Sequence, residues 1–205
     1  SFDLVKRIES GQINASALDA TLRGRLLNHP SERVKTLAKK MLSASGTSTR
    51  AKVVEDFRPA LALSGDATRG SAVFAELCAT CHKLGAVGND IGPNLQSVAN
   101  HPSEKLIVSI LDPNATIEPG YTAYSAQLAN GEELYGIIAA ETGNSLVLKL
   151  PDGKTRTLLR SDITALHSSN LSLMPEGLEA GLTQQKLADL IKFLQTPSQQ
   201  ISPKR

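Results

Sequence analysis

Apolar residues in the first sixty positions recur every three to four residues, which is the spacing of one face of an α-helix. Leucines spaced four apart between residues 18 and 26 show this pattern, and Pro30 ends that helix because proline cannot continue it. Further helices are predicted over residues 31–42 and 50–57, joined by the Ser/Gly/Thr-rich linker "SASGTST". We therefore expect residues 1–60 to form a helical extension of the kind found at the end of a helical repeat region.

Three more helices are predicted farther along the chain, and each has a good starting signal. Asp66 precedes "ATRGSAVFAELC", and Thr183 precedes "QQKLADLIKFLQ", each offering a side-chain oxygen as a cap. The segment "PSEKLIVSILD" begins with Pro102 and Ser103, which favour the first turn of a helix. The last of these helices has an apolar stripe of helical period, so we expect it to be packed along one face.

After Tyr121 the period of the apolar residues changes to two, which indicates β-strands. The segments "YTAYSAQLA" and "EELYGIIAA" flank Asn130-Gly131, a strong hairpin signal. "SLVLKL" and "KTRTLLR" flank "PDG" as a second hairpin, followed by a short strand at "ITAL" and a loop at "SSNLSLMPEGLE". The chain is thus predicted to be α+β, with a small antiparallel β insertion over about residues 121–167, a mostly helical core and a tail over residues 197–205.

Composition adds little to this picture but excludes several functions. With 40% hydrophobic and 20% charged residues and a net charge of +2, the chain has the composition of a globular protein. No basic cluster interleaved with aromatic residues indicates nucleic-acid binding, and no apolar run approaches the ~18–20 residues that cross a bilayer. The chain starts at Ser1 without a signal-peptide pattern, and we interpret it as a processed protein or an excised fragment.

The stretch "AELCATCHKLG" contains both cysteines of the chain, Cys78 and Cys81, and His82 follows directly. This spacing is typical of haem c attachment, in which both thiols add to the vinyl groups of the porphyrin and the next imidazole binds the iron. A zinc site needs further ligands, and the other histidines are isolated in the sequence. A thioredoxin-like dithiol follows a strand of a βαβ unit, whereas these cysteines end a predicted helix. The motif therefore favours one covalently bound haem c.

Residues 66–120 and 171–196 resemble a class I cytochrome c in the helix carrying Gly70 and Phe74, the Cys-x-x-Cys-His motif, "GPNL" and the last helix. In that family the first and last helices cross, so Gly70 and Phe74 are expected to meet the apolar stripe of "LADLIKFL". The chain is more similar still to the haem-binding domain described from planctomycetes and verrucomicrobia. The stretches "RGSAVFAELCATCHKLG", "SILDPNATIEPGYTAY" and "SLMPEGLE" carry that similarity. The resemblance implies a cytochrome c domain over residues 61–196 that contains the β insertion.

The resemblance also implies the remaining site residues. Pro93 matches the family proline whose carbonyl accepts a hydrogen bond from the proximal imidazole, here that of His82. Met174 matches the family methionine that binds the iron on the other side. The expected haem-binding residues are therefore Cys78, Cys81, His82, Pro93 and Met174, of which His82 and Met174 are the expected iron ligands.

Two histidines compete with Met174 for the sixth position. His167 is the second choice because it lies close to Met174 in the sequence, whereas His101 is predicted to lie on the surface beside a helix. A second imidazole would give a lower reduction potential than a thioether, because the thioether favours Fe(II).

With both axial positions filled by the protein, we expect outer-sphere electron transfer and no enzyme reaction. The expected partners are redox proteins, namely a donor dehydrogenase and a downstream electron carrier. Two alternatives remain: a haem-based sensor or catalyst with a labile sixth ligand, and a partner-docking module with a structural haem. Since haem c is attached outside the cytoplasm, we expect a periplasmic or otherwise extracytoplasmic location.

Overall fold

The computed structural model describes residues 22, 25, 26 and 29–196, and for residues 40–49 it describes the backbone only. The helices predicted before residue 29 and the tail after residue 196 therefore fall mostly outside the described residues. Within the described part, α-helices and one antiparallel sheet form separate blocks along the chain. This arrangement confirms the predicted α+β class.

The α-helices of the described residues are α1 (Glu32–Phe57), α2 (Ala67–Leu77), α3 (Ser103–Leu111) and α4 (Gln184–Leu194). Asp66 caps α2, since its carboxylate accepts the N–H of Arg69 at 2.8 Å. Thr183 caps α4 in the same way, with its hydroxyl accepting the N–H of Lys186 at 3.1 Å. Both predicted caps are confirmed.

Helix α1 shows that the linker predicted over residues 43–49 is wrong. The chain forms one continuous helix from Glu32 to Phe57. Ser, Thr and Gly each weaken a helix by about 1 kcal/mol or less relative to Ala. Only proline removes a backbone hydrogen bond, and none lies between Pro30 and Pro59. The composition of the segment therefore lowers its helix propensity without ending the helix.

The β insertion forms one five-stranded antiparallel sheet in the order β4-β3-β2-β1-β5. Its strands are β1 (Thr122–Leu128), β2 (Glu133–Glu141), β3 (Ser145–Lys149), β4 (Thr155–Leu159) and β5 (Ile163–Ser172). Gly131 and Gly153 have φ values of 85° and 83°, the left-handed backbone that these tight turns require. Both hairpins are as predicted. Strand β5 is longer than predicted, because it includes "SSNLS", which the sequence pattern assigned to a loop.

The chain divides into two compact units, each with its own apolar core. The first unit comprises Ser1–Arg50 and Thr116–Gly177, and the second comprises Ala51–Ala115 and Leu178–Arg205. The sheet core of the first unit consists of Ala126, Leu128, Leu134, Leu146, Leu148 and Leu158. The core of the second unit includes Phe74, Leu106, Ile107, Leu111, Leu187, Leu190 and Phe193. Burial of these side chains stabilises each unit through the hydrophobic effect.

Helices α2 and α4 of the second unit cross at close range. A β-carbon at Gly70 would overlap the carbonyl oxygen of Asp189 and would lie 2.7 Å from Cβ of Phe193. The rings of Phe74 and Phe193 pack with their centroids 5.5 Å apart, within the usual range for aromatic pairs. The contact expected between these two helices is therefore present.

Candidate functional site

The turn that contains both cysteines directly follows α2. The N–H of Cys78 continues the helix by donating to the carbonyl of Phe74 at 2.9 Å. The N–H groups of Cys81 and His82 both donate to the carbonyl of Cys78, at 3.0 and 2.8 Å. These bonds hold the two cysteines and the histidine on one tight turn. Both cysteines are half-buried free thiols.

The surroundings of the two thiols favour their protonated form. Burial raises the pKa of Cys78 to about 11, and the neighbouring Cys81 contributes to the increase. Burial also raises the pKa of Cys81. Both thiols are therefore held in their neutral form, and a thioether formed from either would also be neutral. Within the described residues, no three His, Cys, Asp or Glu side chains form a metal-binding group.

The loop of residues 83–95 is tied to this turn by backbone hydrogen bonds. The N–H groups of Ile91 and Gly92 both donate to the carbonyl of Cys81, at 3.0 and 2.8 Å. The N–H of Leu95 donates to the carbonyl of Lys83 at 2.9 Å. These bonds pair N–H groups of the loop with carbonyls of Cys81 and Lys83, and they fix the position of the loop relative to the cysteines.

The imidazole of His82 is oriented by the carbonyl of Pro93. Its Nδ1 lies 2.8 Å from the Pro93 oxygen. Since a carbonyl only accepts hydrogen bonds, Nδ1 must carry the proton, and Nε2 is left with a free lone pair. Burial lowers the pKa of His82, while the hydrogen bond to Pro93 acts in the opposite direction. A half-buried imidazole with a fixed tautomer and a free Nε2 lone pair suits a metal-ligating histidine.

Two glycines of the loop allow it to approach His82 closely. A β-carbon at Gly92 would lie 2.6 Å from Cε1 and 2.9 Å from Nδ1 of the His82 ring. Gly88 has a φ of 91°, and a β-carbon there would overlap the His82 carbonyl oxygen. Neither glycine was predicted to belong to the site. The available signal was the glycine that directly precedes Pro93 in "IGPNL".

Met174 lies two residues after the end of β5 and is half-buried. Its N–H donates to the Ser172 hydroxyl at 3.1 Å, and the following Pro175 restricts its backbone. Met174 belongs to the first unit, whereas the Cys-x-x-Cys-His motif and Pro93 belong to the second. The structure thus brings the other four predicted site residues together, and ligation by Met174 stays a prediction.

The two competing histidines have ordinary local surroundings. His167 is exposed on β5, where it pairs with Ser125 of β1. His101 is half-buried, and its Nε2 lies 3.4 Å from Nζ of Lys105. The carbonyl of His101 accepts a hydrogen bond from the Gln195 side chain at 2.9 Å. His167 thus has the contacts of a strand residue, and His101 has those of a residue next to the start of α3.

Comparison with known proteins gives two matches. A family model described as "Cytochrome C oxidase, cbb3-type, subunit III" matches residues 65–139, which include the cysteine turn and Pro93 and end before Met174. The chain is also 48% identical over 48 residues to a cytochrome c-553-like protein of Synechocystis sp.. That match covers 23% of the chain and 45% of the relative, so it spans less than half of the relative's length. Residues 65–139 are thus similar to a c-type cytochrome, and the geometry of the cysteine turn agrees with that similarity.

Proposed function

We propose that the chain carries single electrons through one covalently bound haem c, with His82 and Met174 as iron ligands. A cytochrome c domain implies haem-based electron transfer. The observation that carries the proposal is the hydrogen bond from His82 Nδ1 to Pro93, which leaves Nε2 free for iron on the same turn as both thiols. When bound, haem supplies a one-electron Fe(III)/Fe(II) couple. In this proposal Cys78 and Cys81 hold the haem, and Pro93 fixes the imidazole.

Iron ligation by Met174 would suit electron transfer better than catalysis. Its thioether is a soft ligand that favours Fe(II) and raises the reduction potential relative to a second histidine. The hydrogen bond from its N–H to Ser172 and the restriction by Pro175 hold its backbone in place. If His82 and Met174 both bound the iron, they would leave no open position on it for a substrate.

The finer assignments of the chain are part of the same proposal. The stretch "SLMPEGLE" supports a haem-binding domain of the planctomycete and verrucomicrobial type over residues 61–196, with residues 1–60 as a helical extension. A donor dehydrogenase and a downstream carrier are the proposed redox partners. An extracytoplasmic location agrees with where haem c is attached. No helix in the described part of the chain has the length and apolar character needed to cross a membrane.

Replacing Met174 by Leu tests the ligation, because Leu keeps most of the volume of Met and removes its sulfur. In the haem-loaded protein, Met174→Leu should abolish the far-red charge-transfer band of methionine-ligated ferric haem. Its reduction potential should fall by on the order of 0.1 V, since axial ligands dominate the potential. Absorption spectra and a redox titration measure both effects. The same change at the other methionine, Met41→Leu, is the control and should alter neither.

The outcomes of this experiment separate the proposed function from its alternatives. High-spin ferric iron in the wild-type protein, or an unchanged band in Met174→Leu, would overturn the His/Met proposal. High-spin iron would favour a sensor or catalyst with a labile sixth ligand. A protein without a reversible one-electron couple would instead be explained as a docking module with a structural haem.

A further inference from the structure

Strand β5 has an irregularity directly before Met174. Thr122 of β1 pairs with Ser172, but Tyr124 pairs with Ser168, so three residues of β5 face a single residue of β1. The three residues are Ser169, Asn170 and Leu171, and they face Ala123. Such a β-bulge interrupts the regular ladder and changes the direction of the strand. The bulge therefore determines where the chain leaves the sheet on its way to Met174.

Ser169 closes this bulge with its side chain. It is only 7% exposed, while the flanking Ser168 and Asn170 are exposed. The Ser169 hydroxyl donates to the carbonyl oxygen of Ala123 at 2.7 Å and accepts the N–H of Leu171 at 3.1 Å. One buried hydroxyl thus satisfies backbone groups of both strands at the point where regular pairing is interrupted.

The residue at the centre of the bulge has an unusual backbone. Asn170 has a φ of 55°, and no other non-glycine residue in the described part of the chain has a positive φ. Asn tolerates this left-handed conformation better than most residues. The Asn170 N–H donates to the Ser168 hydroxyl at 3.2 Å, and that hydroxyl lies 3.2 Å from Asn170 Oδ1. The sequence "SSN" therefore supplies both the conformation and the hydrogen bonds of the bulge.

We propose that Ser169 is a positioning residue that sets the location of the Met174 sulfur by locking the bulge of β5. Beyond the bulge, Ser172 pairs with Thr122, and its hydroxyl accepts the Met174 N–H at 3.1 Å. Ser169 therefore influences the position of Met174 through the last residues of β5, which connect the two. The inference rests on the proposed ligation of the haem iron by Met174.

Loss of the Ser169 hydroxyl would leave the buried carbonyl of Ala123 without its side-chain donor. The Leu171 N–H would lose its side-chain acceptor at the same time, so both side-chain hydrogen bonds that close the bulge would be missing. The end of β5 and Met174 would then occupy a wider range of positions. The Met174 sulfur would be held less firmly, and a competing ligand would replace it more easily.

Comparison of Ser169→Ala with Ser125→Ala in the haem-loaded protein tests this inference. Ser125 is 1% exposed in the same sheet, and its hydroxyl donates to the Glu133 carboxylate at 2.9 Å. Both variants lose the hydrogen bond of a buried serine hydroxyl, so both should unfold at lower denaturant concentration. Only Ser169→Ala should weaken the far-red band. Only this variant should bind added imidazole at the ferric iron more tightly, by about tenfold.

A second pair of variants keeps the test decisive if Ser169→Ala does not fold. Asn170 is exposed, so its replacement removes no buried group. Asn170→Val disfavours the left-handed backbone of the bulge, whereas Asn170→Gly accommodates it. The Val variant should show the increase in imidazole affinity, and the Gly variant should match the wild type.

Equal imidazole affinity in Ser169→Ala and Ser125→Ala would overturn the positioning role, as would equal affinity in the two Asn170 variants. If the wild-type protein still shows the far-red band, ligation by Met174 stands in either case. A wild-type protein without that band would overturn the proposed ligation and this inference together. The two kinds of failure are therefore distinguishable.

Discussion

At the scale of single residues, the site depends on a glycine as much as on the histidine beside it. The Gly92 N–H donates to the Cys81 carbonyl at 2.8 Å, which brings the loop against the motif. The adjacent Pro93 carbonyl then accepts the hydrogen bond of the His82 ring. Both contacts require the backbone of residue 92 to lie against the imidazole, where a side chain would not fit.

Replacing Gly92 by Ala should therefore disturb the imidazole directly. Its β-carbon would lie 2.6 Å from His82 Cε1, and forced overpacking of this kind costs about 1–3 kcal/mol. We expect a loss of about 2 kcal/mol in the free energy of unfolding, measured by denaturant titration. We also expect altered g values in the EPR spectrum of the ferric haem-loaded protein.

A second glycine provides the control for this prediction. A β-carbon at Gly143 would meet no atom within 4 Å. Gly143→Ala should therefore leave both the unfolding free energy and the EPR spectrum close to those of the wild type. If Gly92→Ala behaved like Gly143→Ala, the close approach to His82 would not constrain residue 92.

At the scale of elements, the crossing of α2 and α4 organises the second unit. Gly70 removes the side chain that would separate the helices, and Phe74 and Phe193 fill the adjacent space with paired rings. Helix α2 leads directly into the cysteine turn, because the Cys78 N–H still donates to the Phe74 carbonyl. The packing of α2 on α4 therefore also positions the start of the motif.

Gly70→Ala has two opposing effects on the free energy of unfolding, and their sizes can be compared. In an exposed helix this change stabilises by roughly 1 kcal/mol, because Ala has the higher helix propensity. At Gly70 the new methyl group would overlap the Asp189 carbonyl oxygen and separate the helices, and the separation costs about 3 kcal/mol. We expect a net loss of about 2 kcal/mol in the unfolding free energy, measured by denaturant titration. A stabilised variant would show that the crossing can widen at little cost.

At the scale of the whole molecule, the second unit is assembled from two distant parts of the chain. Its two segments, Ala51–Ala115 and Leu178–Arg205, are separated by the residues of the sheet. Asp189 joins them, since its buried carboxylate accepts the Asp66 N–H at 2.8 Å and the Arg69 Nε–H at 2.7 Å. The unit is thus closed by a charge-assisted network between residues more than a hundred positions apart.

This network predicts an acid-sensitive stability. The hydrogen bond from Arg69 is the main cause that lowers the pKa of Asp189 to about 2, from an ordinary value of 3.8. Because the pKa is lower in the folded state, ionised Asp189 stabilises the protein above about pH 4, and this stabilisation is lost as the pH falls to about 2. Asp189→Asn should cost about 1–2 kcal/mol at neutral pH, a value limited by the exposure of Arg69 to solvent.

Denaturant titrations of the two proteins at a series of pH values measure this difference. The cost of Asp189→Asn should shrink as the pH falls from about 4 to about 2, because the wild-type carboxylate becomes protonated. Asp152→Asn is the control, since Asp152 forms an exposed ion pair with Lys154 and should contribute little. A cost that stays constant at low pH would assign the effect of Asp189→Asn to packing.

Much of the local structure could be predicted from the sequence because it depends on neighbouring residues. The caps at Asp66 and Thr183, the tight turn at Asn130-Gly131 and the strands around it follow from short-range preferences, and all are present. The covalent chemistry expected of Cys78, Cys81 and His82 likewise follows from their spacing alone. The predicted strand ended too early at this point. The bulge in β5 interrupts its period of two, so the sequence there resembles a loop.

The sequence by itself predicted the residues proposed to bind haem and most of the segments that form helices and strands. Only the tertiary structure decided how closely Gly92 approaches His82, that Asp189 closes the second unit, and that Ser169 locks the bulge before Met174. It also decided that α1 continues through residues 43–49. The physical reason is that periodicity and capping arise within a few residues along the chain. A steric limit, a buried carboxylate or a bulge hydrogen bond exists only after distant segments have packed together.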